Sequence, residues 1–361
     1  MEPNELRLST GIPGLDDILH GGLAPGYLYL IEGNPGAGKT TLGLQFLIEG
    51  ARNGETGLYI SLAESEAELR DVAASHAFSL VGVTIAKISP PEIAGASGQQ
   101  YTVFQPAEVE LADVLETILG KVHDLCPSRV VIDSMSELRM LARDSIRYRR
   151  QVLSLKEFFE GRDCTTLLLD EQFRASSENQ VQTIAHGVIC LEVLRRNYGI
   201  TRRRLEVVKV RASSFREGFH DYILVKGGMC VFPRLVSGEH RNEQTAPEVL
   251  PSGIAELDAL FKGGVQRGTS TLITGPTGCG KSTLCMQFAV TAAERGEKSA
   301  IFTFDETLDS IRVRSRGLGM SVDSYLGEAI HLEQVNPAEL SPGEFVDRIR
   351  RGAEESNGSW L

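Results

Sequence analysis

Along roughly the first two thirds of the chain, the apolar residues switch repeatedly between short continuous runs and helical spacing. Residues 26–33 (GYLYLIEG) form an apolar run of strand length. Residues 40–54 (TTLGLQFLIEGARNG) then place apolar side chains three and four apart, as a helix with one buried face requires. A second strand is expected over 57–64 (GLYISLAE). Ser65-x-x-Glu68 offers a capping box for a helix running to about His76. Further on, the pattern predicts a helix over 107–125, a strand over 129–133 (RVVID), a helix over 145–163 and a strand over 164–171 (CTTLLLDE). Three β-type segments follow at 186–197, 201–212 and 221–232. Repeated β-α units imply a mostly parallel sheet with right-handed crossovers and helices on both faces. The late β segments add antiparallel strands at one edge. This is an α/β architecture.

The pattern then begins again. The text from Ser9, STGIPGLDDILHGGLAPGYLYLIEGNPGAGKTTLGLQF, recurs from Pro251 as PSGIAELDALFKGGVQRGTSTLITGPTGCGKSTLCMQF. Gly11 maps to Gly253, Asp16 to Asp258, Gly33 to Gly275 and Lys39 to Lys281, at a constant offset of 242. A gapless register of this length marks a duplicated domain. The expected organisation is a complete domain over 1–236, a polar linker over 237–249 and an incomplete second copy over 250–361.

Composition narrows the function. A net charge of −11 has the wrong sign for a protein that coats nucleic acid with its whole surface, although a local basic groove stays possible. No apolar run approaches the roughly 18 residues of a membrane span. The opening MEPNELRLST has neither the basic nor the apolar region of a signal peptide, so a cytoplasmic protein is expected. The six cysteines form no C-x-x-C pair and no cluster with histidine, which predicts buried thiols and not disulfides or zinc.

The chemistry sits in two glycine-rich turns. Gly33-Asn34-Pro35-Gly36-Ala37-Gly38-Lys39-Thr40 satisfies G-x-x-x-x-G-K-[ST] between a strand and a helix. Its glycines let backbone N–H groups turn inward around phosphate oxygens, and the helix N-terminus adds its dipole. Lys39 supplies a charge to the β and γ phosphates, Thr40 a hydroxyl to Mg²⁺, and Thr41 lies next to it. The second copy repeats the motif as Gly275-Pro276-Thr277-Gly278-Cys279-Gly280-Lys281-Ser282, followed by Thr283, with Ser282 as the Mg²⁺ hydroxyl.

Asp133 ends an apolar strand and is the candidate Mg²⁺ carboxylate, the alternative being a cap for the helix that follows. Glu64, at the tip of its strand, is the candidate catalytic base; its repeat counterpart is Glu306. The alternative for Glu64 is an acidic residue drawn to a helix start by the dipole. Asp170 and Glu171 end the next strand, either as a γ-phosphate sensor or as a solvated strand end.

The opening STGIPGLDDILHGGL, the phosphate loop, SLAES, RVVIDS and the stretch from VVKVRASS to VFP together resemble the KaiC family of RecA-like ATPases, over nearly the whole chain. The resemblance implies tandem RecA-like P-loop domains, ATP and Mg²⁺ as ligands, and a hexameric ring with ATP at the subunit interfaces. The family includes a circadian clock ATPase and autokinase. By the same resemblance, Lys209 and Arg211 match a Lys-x-Arg segment that reaches ATP on the neighbouring subunit, with Ser213 and Ser214 in its hydroxyl positions. The basic run 202–211 also reads as a solvated strand face or a nucleic-acid groove.

Three departures bear on what carries over. Ala63-Glu64 stands where the clock protein has paired glutamates, which implies slow hydrolysis or reliance on Glu64 alone; Asp305-Glu306 is closer to that pair. Phe215 replaces a histidine that contacts nucleotide. Counterparts of Asp133 and Lys209 in the second copy would be residues 375 and 451, past Leu361. The second copy is therefore expected to be poorly stable alone, as a truncated domain or a degenerate remnant, and autokinase activity is expected only of a full-length form. Two other functions stay open on the sequence. One is a RecA-like recombination or DNA-binding ATPase, which the charge and the lack of an aromatic-basic stripe disfavour. The other is a nucleotide-dependent signalling scaffold or serine/threonine kinase whose partners the sequence does not name.

Overall fold

The computed structural model describes residues 7–88, 106–171, 180–195, 197–236 and 248–355. The chain divides into two compact units, Met1–Arg234 and Leu235–Leu361. Residues 237–247 of the expected linker lie outside the described residues.

The first unit runs α1 (Pro13–Ile18), β1 (Leu28–Gly33), α2 (Lys39–Arg52), β2 (Gly57–Ser61), α3 (Glu66–Ser75), β3 (Val83–Lys87), α4 (Pro106–Leu125) and β4 (Arg129–Asp133). It continues through α5 (Met135–Ala142), α6 (Ser145–Phe159), β5 (Thr165–Glu171), α7 (Gln180–Ile184) and β6 (Gly187–Leu194). Strands β7 (Arg202–Val210), β8 (Phe219–Val225) and β9 (Gly228–Phe232) close it. The strands form one sheet in the order β3-β2-β4-β5-β1-β6-β7-β8-β9. Pairing is parallel from β3 to β6 and antiparallel from β6 to β9.

The inner strands read as continuous apolar runs because both faces are covered. Leu30, Ile60, Ile132 and Leu168 point into a core shared with α4, α5 and α6. Their neighbours Ile31, Tyr59, Val131 and Leu169 point into a second core with α2. The capping box at Ser65 and Glu68 is present, with Ser65 Oγ accepting from the Glu68 amide and the Glu68 carboxylate accepting from the Ser65 amide. Three expectations change. Strand β2 stops at Ser61, leaving Leu62–Glu64 as a turn at the carboxyl edge of the sheet. Segment 221–232 is two strands joined at Lys226–Gly227. Elements α1, β3, α5 and α7 carry too few residues for their periodicity to have stood out.

Arg129 begins β4 fully buried, with its Nε 2.6 Å from Glu55 Oε2. Its Nη1 donates to the carbonyls of Ser9 (2.7 Å) and Phe46 (2.9 Å), which ties the opening segment and α2 to the sheet. Arg129→Ala would strand these acceptors. It is expected to lower unfolding free energy by about 3 kcal/mol or more, read as a lower urea midpoint; a loss below about 1 kcal/mol would contradict the assignment.

The second unit contains β10 (Val249–Leu250), α8 (Ala255–Leu260), β11 (Val265–Gln266), α9 (Lys281–Glu294), β12 (Ser299–Thr303), α10 (Leu308–Gly317), β13 (Ile330–Gln334) and α11 (Pro342–Glu355). β10 pairs antiparallel with β11, and β12 pairs parallel with β13. Met286, Val290, Ile311 and Ile330 form its small core. Residues 270–274, the repeat of buried β1, belong to no strand, and Leu272 is 85% exposed. In the first unit β1 lies between β5 and β6; no described strand flanks 270–274.

The cysteine expectation holds only in part. Cys164 and Cys190 are buried, whereas Cys126, Cys279 and Cys285 are exposed, and none of these is in a disulfide.

Candidate nucleotide-binding site

Gly33 ends β1 and Lys39 opens α2, so the loop between them delivers the free amides of a helix N-terminus to the carboxyl edge of the sheet. Gly36 (φ +77°) and Gly38 (φ +92°) take the left-handed conformation that reverses the chain there. A side chain at Gly38 would also sit 2.9 Å from Leu224 Cδ2. Tyr222 reaches across from β8 and donates its hydroxyl to the Ala37 carbonyl at 2.7 Å, pinning the loop. Lys39 curls back to donate to Gly33 O (2.8 Å) and Asn34 O (3.4 Å). Burial pushes the Lys39 ammonium below its usual pKa, against the pull of Asp133, Glu171, Asp170 and Glu64.

Asp133 meets this loop from β4. Its Oδ2 accepts from Tyr59 Oη at 2.5 Å and from Thr40 Oγ1 at 3.3 Å. Burial raises the Asp133 pKa, opposed by these two hydroxyls and by Lys39. Glu64 stands in the turn after β2, whose shape is set by Ser61 Oγ donating to the Glu64 carbonyl at 2.6 Å. Lys87 at the end of β3 donates to the Ala63 carbonyl. Glu64 Oε2 is buried with no hydrogen-bond partner, and burial together with Asp133 and Glu68 raises its pKa. A hydroxyl and a carboxylate side by side (Thr40 and Asp133), an ammonium, an uncommitted basic oxygen and open space around the Gly36 Cβ position fit a nucleoside triphosphate with a divalent cation.

The acidic pair ending β5 is split between the two faces of the sheet. Asp170 is neither solvated nor turned to the loop: it is buried on the α5 side and ion-paired with Arg139. Glu171 is exposed at the loop edge, within electrostatic reach of Lys39.

The basic run on β7 is split too, along the strand. Arg203 Nε contacts Gly36 O at 3.5 Å, at the phosphate loop. Arg211 lies eight residues further on, where β7 pairs with the start of β6, and its Nη2 donates to Thr183 O at 2.6 Å. At about 3.4 Å per residue that is roughly 27 Å away, so Arg211 cannot reach its own unit's loop. Lys209 shares this far edge, and burial and Arg211 lower its pKa. Ser213 Oγ is engaged with the Ser214 carbonyl at 3.2 Å, and Phe215 packs on the α2-side core.

Tyr59, Ser61, Lys87 and Tyr222 were not among the sequence candidates, and Arg203 entered only as part of the basic run 202–211. Of the first four, Tyr59 and Ser61 left a signal: strand alternation places both on the face that Asp133 occupies, and Ser61 pairs directly with Asp133.

A family model described as the KaiC ATPase matches residues 8–236 and 250–348. The chain belongs to the KaiC family. It is 27% identical over 326 residues to the circadian clock protein KaiC2 of Synechocystis sp., an alignment covering 89% of this chain and 56% of the relative. It is 26% identical over 330 residues to the circadian clock oscillator protein KaiC of Parathermosynechococcus lividus, covering 88% and 59%. Against the protein of the same name from Synechococcus elongatus it is 28% identical over 329 residues, covering 88% and 61%. The chain thus spans about three fifths of the length of these curated relatives.

The second KaiC-type loop repeats the geometry of the first in part. Lys281 donates to Gly275 O (2.8 Å) and Pro276 O (2.9 Å), and Gly280 is left-handed at φ +94°. Thr303 Oγ1 donates to Glu306 O at 3.0 Å, as Ser61 does to Glu64. Unlike Glu64, Glu306 has its carboxylate committed to an ion pair with Arg314 of α10. Residues 276–280 and Ser282 stand exposed or half-exposed around Lys281, and no described carboxylate contacts Ser282 as Asp133 contacts Thr40.

Proposed function

We propose that the first unit binds ATP with Mg²⁺ and hydrolyses it at an interface between copies of the chain arranged in a ring, in a clock-type or signalling role in the cytoplasm. The observation that carries this reading is the unpartnered, buried Glu64 oxygen beside the Lys39, Thr40 and Asp133 constellation. Bound there, ATP·Mg²⁺ would supply the transferable phosphoryl group and a Lewis-acidic cation. The backbone N–H groups of Gly36, Gly38, Lys39 and Thr40 and the Lys39 ammonium hold phosphate oxygens. Thr40 Oγ1 and Asp133 Oδ2 hold the cation, with the Tyr59 hydroxyl fixing the carboxylate. Glu64 Oε2 accepts the proton of the attacking water; its raised pKa makes it a better base than an exposed glutamate.

Lys209 and Arg211 would complete the loop of a neighbour, with Ser213 beside them; their distance from their own loop supports this reading. A closed head-to-tail arrangement gives every copy one donated and one received edge. In the second unit, residues 275–283 and Glu306 form a nucleotide-binding loop with Ser282 at its cation position. Glu306 is held by Arg314, and so turnover is assigned to the first unit.

No described helix is long and apolar enough to cross a membrane. Size-exclusion chromatography with light scattering tests the assembly: with ATP·Mg²⁺ the particle should reach six times the chain mass. A monomer mass unchanged by nucleotide would overturn the ring.

A further inference from the structure

Directly behind the phosphate loop, on the sheet face away from α2, two carboxyls lie side by side. Glu32, the residue before Gly33, pairs in register with Asp170 on β5 and with Cys190 on β6. Glu32 is 9% exposed and Asp170 1% exposed. Both are tied to the helices on this face. Arg139 of α5 forms the ion pair with Asp170 and lies over the Tyr148 ring of α6 at 5.2 Å. Gln182 of α7 donates to Glu32 Oε2 at 2.6 Å, and the Cys190 thiol donates to the same oxygen at 3.6 Å.

One guanidinium faces two buried carboxyls. The groups around them add little positive charge: Tyr148 and Cys190 are neutral, with burial pushing the Cys190 thiol up to about 12, and Glu206 of β7 stands beside Cys190 with a further negative charge. Lys39, across the sheet, is the other cation felt by Asp170. Burial lifts Asp170 to about 6, with Glu32 adding to the rise, and burial raises Glu32 as well. Two like charges on directly paired residues of neighbouring strands, in a low dielectric, disfavour double ionisation.

We propose that Glu32, Asp170 and Arg139 are positioning residues for the phosphate loop, and that nucleotide binding at the loop is coupled to uptake of a solvent proton by the Glu32–Asp170 pair. The inference rests on the nucleotide reading of the loop. Its physical basis is the placement of Lys39. Free, the ammonium lowers the proton affinity of Asp170; engaged by phosphate, it no longer does, and the incoming negative charge raises that affinity further. The protonated pair loses its internal repulsion. The end of β1 then stays paired with β5, and Gly33 keeps its place between Glu171 of β5 and Leu191 of β6.

Linkage gives the sign. A carboxyl whose affinity for protons rises on binding makes binding weaker as pH rises through its titration, here from about 6 upward. Wild-type affinity for ATP should fall about fivefold to tenfold between pH 6 and pH 8 beyond the change in Glu32→Gln. The nucleotide-free protein shows the pair independently. Because both pKa values are raised in the fold, stability should fall as pH rises from about 4 to 6, and Glu32→Gln should flatten that slope.

The test is titration calorimetry with ATP at pH 6.5 in two buffers of different ionisation enthalpy, on the whole chain and on Glu32→Gln and Asp170→Asn. Gln at position 32 keeps an acceptor for Gln182, so that variant should fold. The wild type should take up more protons per ATP than either variant. Equal proton uptake with ATP bound overturns the coupling and leaves the nucleotide site standing, whereas no ATP binding to wild type overturns both.

Discussion

Replacing Glu64 with Gln is expected to lower ATP turnover by at least about 100-fold, the lower end for loss of a general base, while ATP binding stays near the wild-type value. The substitution keeps the shape of the side chain and removes its capacity to take a proton. The turn that presents it depends on the Ser61 hydroxyl and the Glu64 carbonyl, not on the carboxylate, so the fold around it is untouched. The pH profile should report the same group. Burial and the neighbouring Asp133 raise the Glu64 pKa, so wild-type kcat should climb with pH through a value above that of an ordinary glutamate. Below it the base is protonated and idle. Turnover unchanged in Glu64→Gln would move the base elsewhere, and Ala63, which has no proton-accepting side chain, could not replace it.

Arg211→Ala is expected to lower kcat by about 10³-fold, the scale of an arginine supplied across an interface to a phosphoryl transition state. Arg211 is exposed at the edge of the first unit and its guanidinium donates to a backbone carbonyl, so its loss should leave ATP affinity and the fold nearly intact. Arg211→Lys should recover only a small part of the rate, because an ammonium lacks the planar fork that holds two oxygens at once. A large rise in KM with unchanged kcat would show ground-state binding only.

The α/β fold and the phosphate loop were legible in the sequence because each depends on local chemistry. The loop needs glycines at Gly36 and Gly38 for their left-handed φ, and buried parallel strands need unbroken apolar runs. The parts that were not legible depend on register. Asp170 and Glu171 are adjacent in sequence, and alternation alone says that they face opposite ways. Only pairing with Glu32 and Gly33 decides that Glu171 stays on the loop side and Asp170 turns to Arg139. Arg203 and Arg211 read as one basic run, yet antiparallel pairing of β6 with β7 sends them to opposite ends of the sheet. Tyr59 reaches Asp133 across 74 residues, and no local pattern encodes such a contact. The exposed cysteines escaped for a similar reason: spacing along the chain does not fix burial.

The central claim is that each active site is shared, with Glu64 from one copy and Arg211 from the next. Mixing the two inactive variants tests it directly. In a ring assembled at random from equal amounts of Glu64→Gln and Arg211→Ala chains, about a quarter of the interfaces should pair an intact Glu64 with an intact Arg211. The mixture should therefore regain about a quarter of wild-type ATPase activity. A mixture no more active than its separate components would contradict the shared site.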